Sequence, residues 1–290
     1  MKRSLGFSGR IGSFLLPLAG PVAALVAWWQ ASYLSGADGF AARFAPRSTF
    51  AALGALLVSG ELWPHVVTSL RRIVLGLSLA TGVGFPLGVL VGALPRFGRA
   101  SAPVFHFLRM VSPLAWTPVA IMVLGIGDTP VVFLLSMASV WPVVLATSSA
   151  VAALDDHLPS VGRSLGATRL EVARTIVWPS IRPQVTTGLR VAIGLSWVVL
   201  VPAEMLGVDS GLGYFILSTR DRLAYSELAA AILVVGALGL ALDAAARHFL
   251  SDRPGRRHAG QSRTTSPKHH GRTPPARLES STVQPTSHCS

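Results

Sequence analysis

The sequence predicts an all-α membrane protein that crosses the bilayer six times. Three observations carry this prediction. First, the 290 residues are 51% hydrophobic and only 13% charged, against about 25% charged in soluble domains. Second, Asp, Glu, Lys and Arg are absent from 11–37, 73–95, 110–127 and 129–154, runs of 27, 23, 18 and 26 residues. A bilayer-spanning helix needs about 20 such residues. Third, the basic residues between the runs are sorted by side. This composition excludes an ordinary soluble enzyme. An outer-membrane barrel would show alternating segments of about 10 residues instead.

The expected spans are 11–34, 66–94, 104–126, 130–152, 185–207 and 228–249. The first is too long for a secretory signal core and is read as a retained anchor. Residues 1–60 then comprise this anchor and an external loop, 61–250 the core, and 251–290 a tail. Within the loop, 35–64 has no readable pattern beyond Trp63-Pro64 leading into span two. Internal Gly and Pro, among them Gly84, Gly88, Pro113 and Pro142, are tolerated because neighbouring helices satisfy freed backbone groups and small residues permit close approach.

Orientation follows from Lys and Arg. With the N-terminus inside, 17 of the 25 basic residues lie on the cytoplasmic side and 4 outside, with Arg71, Arg72, Arg109 and Arg190 in or near spans. Both termini are expected in the cytoplasm, and the net charge of +12 states topology rather than a nucleic-acid partner. Ser, Thr, Pro and Gly make up 20 of the 40 tail residues, too polar to fold, so a disordered basic tail is expected. The lone cysteine, Cys289, permits no intrachain disulfide. No His/Cys/Asp/Glu grouping has metal-ligand spacing, and no cofactor is expected.

The most informative segment is 153–184. Leu158, Val161 and Leu165 suit one short helix, Gly166 a helix stop, and Thr168-Arg169-Leu170-Glu171 a capping box. A second helix is expected from Arg169 to Trp178, ended by Pro179. Asp155 and Asp156 suit the positive end of the first.

This segment, Ser160 to Pro179, resembles the EAA loop of ABC importer permeases, with Gly166, Ile176 and Pro179 at the family spacing. Ser160-Val161-Gly162 stands where that family has Glu-Ala-Ala, and Trp178 where it has Leu. Arg109-Met-Val-Ser-Pro113-Leu-Ala-Trp116-Thr-Pro118, Gly125-Ile-Gly-Asp128, Thr187 to Trp197, Ala203 to Gly207 and Ser210 to Tyr214 are similar to the nitrate/sulfonate/taurine branch. The resemblance covers roughly 61–250. It implies a type I importer bundle with cytoplasmic coupling helices. The implied assembly is a homodimer in membrane lipid, with two ATP-binding subunits inside and a solute-binding protein outside. Leu165, Gly166, Ala167, Thr168, Arg169, Glu171, Ile176 and Pro179 would couple to the ATPase.

On that reading the chain catalyses no reaction itself. It has no phosphate-binding Gly-x-x-x-x-Gly-Lys loop, and its only lysines are Lys2 and Lys268. The solute implied is a small oxyanion such as nitrate, taurine or an alkanesulfonate. Pathway or gate candidates are Glu204, Trp116, Trp197, Arg109 and Arg190. Glu204, a lone carboxylate within a span, suits a gate, a helix contact or structural hydrogen bonding. Arg109 and Arg190, placed near the cytoplasmic ends of spans three and five, suit snorkelling or an anion exit path. The alternative function is an ion-gradient-driven secondary transporter, which would call for repeated halves and a midspan carboxylate relay.

Overall fold

The computed structural model describes residues 8–34, 43–155 and 157–250, with the side chains of all but 8–19, 21, 158 and 159. The described residues are helical and joined by short turns, without strands. The expectations for 251–290, Asp156 and residues 35–42 of the loop 35–64 lie outside them.

The helices are α1 Ser8–Leu34, α2 Pro46–Ser59, α3 Leu62–Ala93, α4 Pro95–Met110, α5 Thr117–Leu124, α6 Asp128–Ala152, α7 His157–Ser164, α8 Arg169–Val172, α9 Trp178–Glu204, α10 Leu212–Asp221 and α11 Tyr225–Leu250. Among the described residues, α3, α6, α8–α9 and α11 are each long and apolar enough to cross a membrane. Their outward faces carry Val74, Leu79, Val83, Val198 and Leu240, all exposed. That is the pattern of a bundle solvated by lipid tails.

Three expectations need correction. Span three is not one helix. The chain leaves α4 through extended Val111 and Ser112, makes a 3₁₀ turn at Pro113–Trp116 and enters α5, with an 82° bend between the two arms. The residue before a proline avoids the helical region, and Pro113 follows directly. Second, Pro179 does not end a helix. The chain from Arg169 to Glu204 is one 36-residue helical path, widened by a π-turn at Ala173–Val177. Trp178 donates its N–H to the Ala173 carbonyl, so the ladder has already shifted where the proline ring would meet the carbonyl four residues back. Third, the unreadable loop contains α2, seated against α11 and α3 through Leu56, Leu62, Val66 and Ala231. Pro46 at its first turn supplies a preset backbone angle.

The centre of the bundle is α3 packed on α6 and α6 on α9. A row of glycines on α3 makes the first contact close. A Cβ on Gly88 would lie 2.6 Å from Thr147 Cβ, and one on Gly92 would lie 2.6 Å from the Ser148 carbonyl. Small residues let helix backbones approach, and dispersion then holds them where no hydrophobic effect operates. Between α6 and α9, Ser139 and Ser196 share a hydrogen bond of 2.5 Å, both fully buried. A second core joins α3, α5, α6 and α9 through Ile73, Ala120, Leu134, Leu135 and Leu200.

Candidate functional site

Three groups of residues stand out in this frame: an exposed turn at one end of the bundle, a charged cluster at the other, and an unpaired arginine between them.

The exposed turn is the segment 157–177. Asp155 accepts the His157 N–H at 3.0 Å and opens α7. The helix ends in a Schellman motif: Ala167 N–H donates to the Gly162 carbonyl and Gly166 N–H to that of Arg163, at 3.1 and 3.0 Å. This closure needs a left-handed residue, and Gly166 has φ +85°. The expected capping box is complete. Thr168 Oγ1 accepts the Glu171 N–H at 3.3 Å, while Glu171 Oε2 accepts the Thr168 N–H at 2.7 Å and its hydroxyl at 2.9 Å. Those donors hold the Glu171 carboxyl below its ordinary pKa, the backbone N–H contributing most. Gly162 packs under Ile176 and Val172, where a Cβ would lie 2.8 Å from Ile176 Cδ1. Thus the departure from Glu-Ala-Ala coincides with a tight contact between the two arms. Every element of the turn is fixed locally, yet Leu165 is 83% and Leu170 61% exposed. Arg169 stands beside them, also exposed, while Ile176 is half-buried and Pro179 opens α9.

At the other end, Glu204 does not stand alone. It is fully buried, and Arg72 beside it is 1% exposed. Arg72 Nη1 donates to Glu204 Oε1 and to the Ser210 carbonyl, both at 2.8 Å. Arg72 Nη2 donates to Asp128 Oδ1 at 2.5 Å and Ser210 Oγ at 3.2 Å, and Nε to Asp128 Oδ1 at 2.9 Å. All five guanidinium donors are used. Glu204 further accepts from Ser69 Oγ at 2.8 Å and from the Gly213 N–H at 2.9 Å. Leu212 N–H donates to Ser69 and Gly211 N–H to His65 Nδ1, while Arg71 pairs with the exposed side of Asp128. The cluster thereby ties the starts of α3, α6 and α10 to the end of α9. A buried pair tolerates desolvation only when its remaining donors and acceptors are met, as they are here. Arg72 and Asp128 were the partners missed from the sequence. The signal was a basic pair, Arg71-Arg72, and a carboxylate, Asp128, at the edges of otherwise uncharged runs.

Arg109 is also corrected. It lies in the last turn of α4, not near a helix end of its neighbours. Together with Val111, Pro113, Ala138, Trp141, Pro142, Leu145, Val191, Leu195 and Val199 it lines a cavity of about 410 Å³. The α6 residues come from the middle of that helix and the α9 residues from its half nearer Glu204. Trp116 packs in the α3–α5–α6–α9 core with its indole N–H buried and unpartnered. Trp197 bridges the two main cores and covers Gly239 of α11. Arg190 reaches the Leu250 carbonyl at 3.4 Å and leaves its Nε buried without a partner. The structure therefore gathers Glu204 with residues outside the expected set and keeps the other four candidates apart from it. Among the described residues no group of His, Cys, Asp and Glu could hold a metal ion.

The described residues form a helical bundle with helices long and apolar enough to cross a membrane, a cavity between α4, α6 and α9, and an exposed, locally fixed turn, the build of an integral membrane protein. Residues 84–252 match the family described as the binding-protein-dependent transport system inner membrane component. Relatives include the bicarbonate transport system permease protein CmpB of Synechococcus elongatus, 32% identical over 81% of this chain and 87% of that one. The nitrate import permease protein NrtB of Synechocystis is 35% identical over 62% and 65%. The taurine transport system permease protein TauC of Escherichia coli is 32% identical over 64% and 68%. In structure, the chain is similar to the inward-facing MetNI methionine ABC transporter, with a TM-score of 0.54 at 16% identity over 67% of this chain and 94% of that one. The chain belongs to the binding-protein-dependent inner-membrane family, in its nitrate/sulfonate/taurine branch, and is the permease of an ABC importer in the inner membrane.

Proposed function

We propose that this permease carries a small oxyanion into the cell as a homodimer. It would work with two copies of a separate ATP-binding subunit on the cytoplasmic face and a solute-binding protein outside. The named solutes of its relatives, bicarbonate, nitrate and taurine, each bear or form an oxyanion. The excess of Arg on one side orients both termini toward the cytoplasm, which puts the 157–177 turn inside and the Arg72–Glu204 cluster outside.

One observation carries the coupling role: Leu165 and Leu170 are held out to solvent by a turn closed by its own Schellman and capping-box hydrogen bonds. Exposed apolar side chains on a preorganised scaffold suit a partner's groove, because little ordering entropy remains to be lost on binding. Leu165, Gly166, Ala167, Thr168, Arg169, Glu171 and Ile176 form that contact, and Pro179 joins it to α9. Glu204 locks the outer ends of three helices to α9, Trp197 seats α9 on α11, and Trp116 and Arg190 border the path.

The test is uptake of labelled nitrate, bicarbonate and taurine into proteoliposomes holding permease, ATP-binding subunit and binding protein. Uptake should require ATP and no ion gradient; gradient-driven uptake without ATP would instead support a secondary transporter. Gly166→Leu, which forces a branched residue to φ +85°, should abolish coupled uptake and solute-stimulated ATP hydrolysis. Survival of both would remove the coupling role.

A further inference from the structure

Arg72 and Arg109 are opposite cases of the same side chain. Arg72 spends all five donors on the protein. Arg109 makes no hydrogen bond or ion pair among the described residues.

The residue is exposed, and two cavities open along its side chain. Arg109 lines the cavity of about 410 Å³ described above and also a smaller one of about 110 Å³, bounded by Val91, Gly98, Ala102, Phe105, His106 and Val144. Trp141 and Leu145 are common to both. Arg109, Trp141 and Leu145 therefore stand where the two cavities adjoin. The larger chamber spans 138–145 in the middle of α6 and 191–199 in the half of α9 nearer Glu204. The smaller lies against the last turn of α3, along α4 and against α6. Neither chamber has an Asp or Glu in its wall.

A cation at mid-depth costs several kcal/mol unless it faces a polar cavity or a counter-ion. The chain supplies the cavity and withholds the counter-ion. Apart from His106 the rest of the wall is mainly apolar, with Phe105 set against Trp141, ring centroids 5.8 Å apart. Guanidinium is a planar fork that pairs two oxygens of a carboxylate- or phosphate-like group at once. The larger chamber falls within the roughly 300–1,000 Å³ of small-molecule sites.

We propose that Arg109 is the transit site for the solute anion, pairing with its oxygens as it passes from the larger chamber to the smaller. This rests on the importer reading and adds to it a named residue inside the membrane that recognises the charge. The side chain acts as a selective step: it compensates an anion and repels a cation.

The experiment uses the complete transporter in proteoliposomes, with nitrate, bicarbonate and taurine as probes. Arg109→Gln should lower uptake per ATP hydrolysed tenfold or more for the anion the wild type carries. Arg109→Lys, which keeps the charge and loses the fork, should fall between. Assembly is judged by co-purification with the ATP-binding subunit. If Arg109→Gln carries the anion as well as the wild type, the proposal is overturned while the importer reading stands. If the wild type carries none of the three, the oxyanion reading falls and this proposal with it. Failure of both variants to assemble makes Arg109 structural and also overturns it. A defect confined to vesicles containing anionic lipid, absent in pure phosphatidylcholine, assigns the guanidinium to a headgroup and has the same consequence.

Discussion

Glu204→Gln is the sharpest perturbation of the buried cluster. Glutamine keeps the volume but turns one oxygen into an NH₂ group. Oε1 accepts from Arg72 and Oε2 from the Gly213 N–H, so either amide orientation sets a donor against a donor. Arg72, 1% exposed, also loses one of its two counter-charges. Breaking a buried pair by removing one partner costs about 3–5 kcal/mol. For a chain of this size that lowers Tm by roughly 6–20 °C. The assay is thermal unfolding of the detergent-solubilised complex, followed by loss of monodispersity. Arg72→Met should cost at least as much, since it strands Glu204 and Asp128 together. The double variant Arg72→Met/Glu204→Leu should recover much of the loss, because apolar replacement of a whole pair is often close to neutral. A shift in Glu204→Gln of less than about 2 °C, under 1 kcal/mol on the same scale, would refute the reasoning, as would strict additivity of Arg72→Met and Glu204→Leu measured singly and together.

Three other outcomes are expected. Gly88→Val should part α3 from α6, because its Cβ would lie 2.6 Å from Thr147 Cβ and 2.8 Å from the Val144 carbonyl; overpacking of this kind costs about 1–3 kcal/mol, read as a lower Tm and a broader elution peak. Thr168→Ala removes the cap and about 1 kcal/mol, so the Glu171 amide should exchange hydrogen roughly fivefold faster. The lowered Glu171 pKa means that the capping box stabilises the turn fully above the ordinary glutamate value and loses that contribution as pH falls through the lowered one. Protection from exchange at Thr168 and Glu171 should fall over that acidic window in the wild type and, because the residue-168 N–H still donates to the carboxylate, in Thr168→Ala as well, and stay flat only in Glu171→Gln, which has no carboxyl to titrate.

The capped turn was legible residue by residue because its determinants are local. A glycine at φ > 0, a threonine three before a glutamate and an aspartate before α7 each act within one helical turn. Membrane crossing was legible because it is compositional. What stayed hidden depends on distance in sequence or on competition between neighbours. Arg72, Asp128 and Glu204 are separated by 56 and 76 positions, and only the bundle brings them together. Pro113 and Pro179 look alike in sequence, yet one breaks a span and the other is absorbed. The difference is the π-turn before Pro179 and the pair of extended residues before Pro113. The depth of Arg109 was misread for the same reason: a straight span three would have put it at an end.

The unbroken path from Arg169 to Glu204 also has a mechanical consequence. At 1.5 Å per residue it measures about 54 Å. The Ser139–Ser196 hydrogen bond pins it to α6 about 12 Å from the Glu204 end and about 40 Å from the Arg169 end. Were the helix to tilt about that pin, its two arms would stand in a ratio of about three to one. A partner that moves the long arm by about 6 Å shifts the short arm by about 2 Å with threefold force. Such gearing is suited to prising apart hydrogen bonds packed as tightly as those around Arg72.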